Sequence, residues 1–381
     1  MSHAVCPSCH GPIGAGDRFC GSCGKPVAPG SVDAQPVPPS SGATSASGMP
    51  PIVEEAFECG VAAVLQGDPA TAVREFSRVL QQQPGNARAL ANRATCYLLM
   101  GGHDEEVIRD CSDAIRLNPP DALAWANRGL ARCRQGDLPS ALADCNRAAE
   151  LDSELVDAFR YRGLVHSVSE EYAEAIADYD RALRLQPDDY DTHCWRGDAL
   201  VALGDLKRAA REYDEAIRIE PGNAAAYRYR ANVRRQQGKL RKAVHDFDEA
   251  IRLEPDAAES FNDRGLVHMD QQEMESALSD FDKAVQLAGR MPDGEEIEVR
   301  ALVNRAVISG ETGNDRGAIA DCNRALEIDP SYSEASYVRG ILSQQLGDRQ
   351  AAITDFRQVL ESDMVAHLHE DAAARLRELS R

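Results

Sequence analysis

The sequence predicts an all-α protein built as a solenoid of stacked helix hairpins. Three observations predict it. A 34-residue pattern recurs along most of the chain, beginning near residues 53, 87, 122, 156, 190, 224, 258, 299 and 333. Within each copy, apolar residues recur at helical spacing on both sides of a short Gly-centred turn. A proline then closes most copies. One hairpin cannot bury its apolar faces alone, so adjacent copies must stack.

The first element lies ahead of the repeats. Cys6-Pro-Ser-Cys9 and Cys20-Gly-Ser-Cys23 are two Cys-x2-Cys pairs separated by ten residues. Each pair makes a knuckle that aims two thiolates at one point, and Gly11, Gly21 and Gly24 suit the turns. Cys6, Cys9, Cys20 and Cys23 together provide the four-sulfur tetrahedral set of structural zinc. Some twenty residues hold too little apolar surface for a core of their own, so metal binding must provide most of the folding free energy, on the order of 10 kcal/mol. Four sulfurs leave no open position for a reacting water, so zinc here is a structural cofactor. The stretch CPSCHGPIGAGDRFCGSCGKPV resembles the short zinc-ribbon family. A ribbon is therefore expected over residues 1–27.

Residues 28–51 read APGSVDAQPVPPSSGATSASGMPP and are rich in Pro, Ser, Gly and Ala. Such a composition predicts a disordered tether, with ends roughly 25–30 Å apart if it is a flexible coil.

The nine copies occupy residues 52–364. Counting the first residue of a copy as slot 1, slot 4 is large in five copies (Leu90, Trp125, Phe159, Tyr227, Phe261). Slot 8 is always Gly or Ala and slot 20 is usually Ala, which lets the two helices of a hairpin approach. Slot 24 is Phe, Tyr or Cys and fills the space around that contact. Slot 32 is Pro at 84, 119, 187, 221, 255 and 330. Two insertions stand out: one residue near Gly101-Gly102-His103, and seven residues, Pro292 to Glu298, ahead of the eighth copy. Glu295, Glu296 and Glu298 favour an early helix start there. Residues 365–381 carry Val365, Leu368, Ala372, Leu376 and Leu379 on one helical stripe, as a C-terminal capping helix would.

This pattern resembles the tetratricopeptide repeat (TPR) family over residues 53–364, and the resemblance implies that the nine hairpins stack into a right-handed superhelical solenoid. One slot departs from it. Slot 7 is Arg in eight copies (Arg93, Arg128, Arg162, Arg196, Arg230, Arg264, Arg305, Arg339), where the family commonly has Leu. Slot 23 is acidic in the same copies. A cation recurring with an anion predicts an ion-pair rung between the two helices of each hairpin.

The resemblance implies a job, the binding of a protein or peptide segment, and a place, the groove lined by first helices at slots 2, 5, 9 and 12. The expected groove residues are Phe57, Val61, Val64, Leu98, Leu130, Arg160, Leu164, Arg228, Asn232 and Arg235, with Val303, Val307, Tyr337 and Ile341 further on. That set reads as an apolar N-terminal half and a basic centre, suited to a segment with a carboxylate near Arg228 and Arg235. Slot 5 is mostly not the Lys or Asn by which some TPR domains clamp acidic chaperone tails, being Phe57, Ala91, Ala126, Arg160 and Cys194 in the first five copies.

Composition narrows the remaining classes. The net charge of -20 argues against nucleic acid or an anionic membrane as partner. No apolar run is long enough to span a bilayer, and no basic, apolar leader opens the chain. Seven cysteines scattered singly through the repeats suit a reducing, cytoplasmic setting and read as small buried hydrophobes. No Walker, HExxH, nucleophile-elbow or kinase pattern is present. The expectation is a non-enzymatic scaffold with the zinc ribbon as a second interaction module. The alternative is a regulatory or recruitment subunit whose ribbon contacts nucleic acid or a machine bound to it.

Overall fold

The computed structural model describes residues 4–5, 12–13, 51–362 and 366–380. The four ribbon cysteines, residues 28–50 of the expected tether and Val365 lie outside the described residues. The chain forms two compact units, Met1–Ile219 and Glu220–Arg381.

In the first unit, β1 (Ala4–Val5) and β2 (Pro12–Ile13) pair antiparallel, Ala4 opposite Ile13. Five helix hairpins follow. They are α1 (Pro51–Leu65) with α2 (Pro69–Gln82), α3 (Ala87–Met100) with α4 (Asp104–Leu117), and α5 (Ala122–Arg134) with α6 (Leu138–Leu151). The other two are α7 (Val156–Val168) with α8 (Tyr172–Leu185) and α9 (Tyr190–Ala202) with α10 (Leu206–Ile219). Within this unit α2 packs on α3, α4 on α5, α6 on α7 and α8 on α9.

The second unit has α11 (Ala224–Gln236) with α12 (Leu240–Leu253), α13 (Ala258–Asp270) with α14 (Met274–Ala288), α15 (Glu295–Glu311) with α16 (Asp315–Ile328), and α17 (Ser333–Gln345) with α18 (Arg349–Leu360). The helix α19 (Ala366–Leu379) closes it. Its Leu368, Ala372, Leu376 and Leu379 cover Phe356 and Val359 of the last hairpin. The acid-rich insertion starts α15 ahead of its repeat, and Ile297 is buried in the added turn.

Slot chemistry explains each hairpin. Slot 15 has positive φ in all nine copies. Glycine supplies it in seven, including Gly136 at φ 83 and Gly204 at φ 78, whereas Glu170 (φ 64) and Gln272 (φ 62) must adopt it without glycine. Five slot-8 glycines (Gly60, Gly163, Gly197, Gly265 and Gly340) sit against the slot-24 ring of the same hairpin, and Gly129 sits against Cys145. A Cβ on Gly163 would meet Tyr179 at 2.6 Å, and one on Gly265 would meet Phe281 at 2.7 Å. Copies two and eight pair Ala94 with Cys111 and Ala306 with Cys322, copy three keeps Gly129 beside Cys145, and copy six packs Ala231 with Phe247. Second helices are capped by Asp68, Asp137, Asn314 and Asp348, whose side chains accept from backbone N–H groups of the first turn.

Candidate functional site: the first-helix face

The eight predicted rungs form. Arg93, Arg128, Arg162, Arg230, Arg264, Arg305 and Arg339 each make a two-pronged contact with the Asp at slot 23, as in Arg93 Nε to Asp110 Oδ2 at 2.7 Å and Nη2 to Oδ1 at 2.8 Å. Arg196 reaches Glu212 through Nη2 at 2.5 Å, and His193 shares that carboxylate at 2.9 Å. The sequence reading missed the third prong. Nη1 crosses to slot 25 of the preceding copy: Ser77 from Arg93, Ser112 from Arg128, Asn146 from Arg162, Asp180 from Arg196, Asp248 from Arg264, Asp282 from Arg305 and Asn323 from Arg339. Each such arginine ties two hairpins together. The signal was present in sequence, because slot 25 is Ser, Asn or Asp in each of those copies.

Slot 4 adds two further roles. Its ring lies under the slot-7 guanidinium at Trp125–Arg128 (4.7 Å), Phe159–Arg162, Tyr227–Arg230 and Phe261–Arg264. Its polar atom reaches the carbonyl of the proline ending the previous copy: Trp125 Nε1 donates to Pro119 O at 2.9 Å, and Tyr227 OH to Pro221 O at 3.3 Å. These contacts build the stack and leave the opposite face of the first helices for other work.

On that face in the first unit, α3, α5 and α7 border a cleft of about 590 Å³. Leu98, Leu99, Leu123, Leu130 and Leu155 give it an apolar lining, with Tyr161 beside them. Asn127 is buried in its floor and donates to Thr95 Oγ1 at 3.1 Å, joining α5 to α3. Arg134 lines it as well and pairs with Asp104 at 3.5 Å. Burial raises the Asp104 pKa and the arginine only partly offsets it. Asp121, Asp152 and Asp157 complete the lining.

The predicted groove residues separate into three groups. Leu98 and Leu130 line this cleft, although each is largely packed into the core. Phe57 and Leu164 are core residues; Phe57 stands edge-on to Phe76 at 5.5 Å, and Val61 and Val64 pack against the same cluster. Slot 5 turns toward the neighbouring helix in this unit, where Phe57, Ala126, Arg160 and Cys194 are all buried. The expected basic centre is neutralised from within. Arg160, 4% exposed, pairs with Asp157 at 2.7 Å and Asp189 at 3.2 Å. Burial works against its charge, yet Asp157, Tyr161, Asp189 and Asp191 hold its pKa well above the usual arginine value.

In the second unit, Arg235 pairs with Asp270 at 2.5 Å, and Asn232 donates to Asp263 at 3.3 Å. Arg228 is half-buried on the same helix. The resemblance-based slots omitted 6 and 13, which carry Asn127, Tyr161 and Asp263 and then Leu99, Arg134 and Asp270. Those slots follow 2 and 9 at helical spacing, so the face is wider than four slots.

The scattered cysteines of the repeats are free thiols, and all but Cys59 are buried. Burial pushes Cys96, Cys133 and Cys322 up to about 12, which makes them poor nucleophiles. Among the described residues no cluster of three or more His, Cys, Asp or Glu is arranged to hold a metal. Among them no helix is long and apolar enough to cross a membrane.

Comparison with known proteins agrees with this architecture. Family profiles described as "Tetratricopeptide repeat" match residues 63–126, 112–155, 162–224, 230–292, 299–332 and 333–363. The chain belongs to the tetratricopeptide repeat family of protein–protein interaction scaffolds, which is typically non-enzymatic. Among curated proteins, it is similar to "Protein SGT1 homolog" of Bos taurus, 27% identical over 100 residues, which cover 26% of this chain and 29% of that one. It is also similar to "Heat shock protein sti1 homolog" of Schizosaccharomyces pombe, 37% identical over 65 residues, 17% of this chain and 11% of that one. The matched stretch thus spans less than a third of either relative. Among solved structures, yeast Tom70 superposes with a TM-score of 0.52 at 17% identity, covering 86% of this chain and 88% of that one, a likeness of fold.

Proposed function

We propose that the chain is a non-enzymatic scaffold that holds an extended protein segment against the first-helix face of copies two to four. The observation that carries this reading is the leucine-lined cleft between α3, α5 and α7. On α11, α13 and α15 polar side chains bind one another, whereas here apolar surface is left at the bottom of a concavity, the usual form of a binding site. A photo-crosslinking amino acid at Leu123, within the cleft, is expected to give discrete protein adducts in cells. The same probe at exposed Arg147, on α6, is the reference. Identical adduct patterns at the two positions would count against the cleft.

The ribbon is proposed as a second module, with Cys6, Cys9, Cys20 and Cys23 holding one structural zinc. The matched spacing of the two Cys-x2-Cys pairs supports this. Metal analysis of purified protein should find about one zinc per chain, lost in Cys6→Ser/Cys9→Ser. An equal zinc content in that variant would refute the assignment.

A further inference from the structure

We propose that the occupant of the cleft is a cationic segment, one in which an apolar side chain is flanked by lysine or arginine. This rests on the groove reading above and adds the chemistry of the partner. Leu98, Leu123, Leu130 and Leu155 supply apolar contact but no charge. The charge comes from the loops. Asp121 precedes α5 and Asp152 follows α6, and both line the cleft.

The cations nearby are already committed. Arg134 pairs with Asp104, and Arg160 pairs with Asp157 and Asp189. Among the described residues neither Asp121 nor Asp152 takes part in an ion pair. Asp121 accepts from the backbone N–H of Ala124 at 3.1 Å, and Asp152 from that of Glu154 at 2.8 Å. A carboxylate has about four acceptor sites, so each keeps capacity for a charged donor. A cationic side chain can reach these oxygens while its apolar neighbour enters the leucine floor, and charge-assisted bonds then add to apolar burial. A segment carrying carboxylates would instead meet like charge beside a poorly solvated surface, which is costly. The occupant the cleft favours is thus opposite in sign to the one expected from the arginines of slots 5 and 12.

The test uses the full chain and three labelled, end-capped octapeptides in which Leu alternates with Lys, Gln or Glu, read by fluorescence anisotropy at physiological ionic strength. The Lys peptide should bind at least about ten-fold more tightly than the Gln peptide, and the Glu peptide should not saturate. D121N/D152N should remove that advantage while leaving the Gln peptide unaffected; Asn keeps the helix cap at 121, so the fold is retained. E105Q/E174Q removes the same charge at exposed sites away from the cleft and should change nothing. Equal weakening by both double variants would show general attraction to an acidic chain and overturn the proposal, as would equal binding of Lys and Gln peptides. L123S separates the two readings. If it weakens all peptides without any charge preference, the groove stands and the cationic occupant falls; if it changes none of them, the groove falls as well.

Discussion

Copies two to four and copies six to eight use the same hairpin and treat its first-helix face in opposite ways. In the N-terminal unit that face holds a leucine-lined cleft in which Asn127 is bound to Thr95. In the C-terminal unit polar groups of α11, α13 and α15 bind one another: Asn232 to Asp263, Arg235 to Asp270, Arg300 to Asp263 at 3.9 Å, and Asn304 to Asn262 at 2.9 Å. The link from slot 9 of one copy to slot 6 of the next is common to both units, since Thr95–Asn127 and Asn232–Asp263 occupy the same slots. The difference lies at slots 9 and 13, where Leu130 and Leu99 stand in one unit and Asn232 and Asp270 in the other. The repeat frame dictates the stack, and a few slots on one face decide whether a surface is open to a partner or engaged with itself.

The sharpest way to break this comparison is to remove one arginine from each unit. Arg160 is enclosed, and its loss leaves buried Asp189 and half-buried Asp157 without their cation. Arg160→Ala is expected to cost about 3–4 kcal/mol. Arg235 and Asp270 form a surface pair, so Arg235→Ala should cost about 1 kcal/mol or less, and less again at high salt. Denaturant unfolding of the two variants measures this. Similar losses would mean that the enclosed pair is no different from a surface one.

A smaller effect tests whether the hairpin interior is as rigid as its volumes suggest. Replacing an exposed helical glycine with alanine normally stabilises by roughly 0.5–1 kcal/mol. Gly163→Ala should instead destabilise by about 2 kcal/mol, because the new methyl meets the Tyr179 ring. That ring cannot slide freely, since its hydroxyl is held 3.0 Å from Ser167 Oγ. The Ala94–Cys111 and Ala306–Cys322 pairs show that alanine at slot 8 fits beside cysteine at slot 24. Gly163→Ala/Tyr179→Cys should therefore be less destabilised than the sum of its single variants, as a double-mutant cycle would show. A stabilised Gly163→Ala would mean that the interface yields.

Much of this was legible in the sequence because it repeats. Small slot 8, large slot 24, the slot-7 arginine and the slot-32 proline recur often enough to give hairpins, turns and rungs. The rungs' third prong was equally periodic but needs the geometry of two adjacent copies, which one copy's pattern does not contain. The cleft was only partly legible. Leu98 and Leu130 stand at expected groove slots and line the cleft, whereas Phe57 and Leu164 stand at such slots and are packed in the core. An apolar residue at a groove slot looks the same in sequence whether it faces a partner or the neighbouring helix. The arginines misled for a related reason: Asp189 and Asp270 lie 29 and 35 residues away from the arginines they neutralise.

The smallest effect concerns what the two units share. Glu170 and Gln272 hold left-handed backbone at slot 15, where the other seven copies have glycine. The left-handed region costs an L-residue roughly 1–2 kcal/mol, and glycine's extra entropy in the unfolded chain returns part of that. Glu170→Gly and Gln272→Gly should each stabilise by about 1 kcal/mol or slightly less. The turn is a property of the hairpin and not of the first-helix face, so the two gains should be nearly equal despite the contrast between the units. Thermal unfolding would show both transitions raised by a similar amount. A gain confined to one unit would mean that the surroundings of that turn, and not the repeat itself, set its backbone.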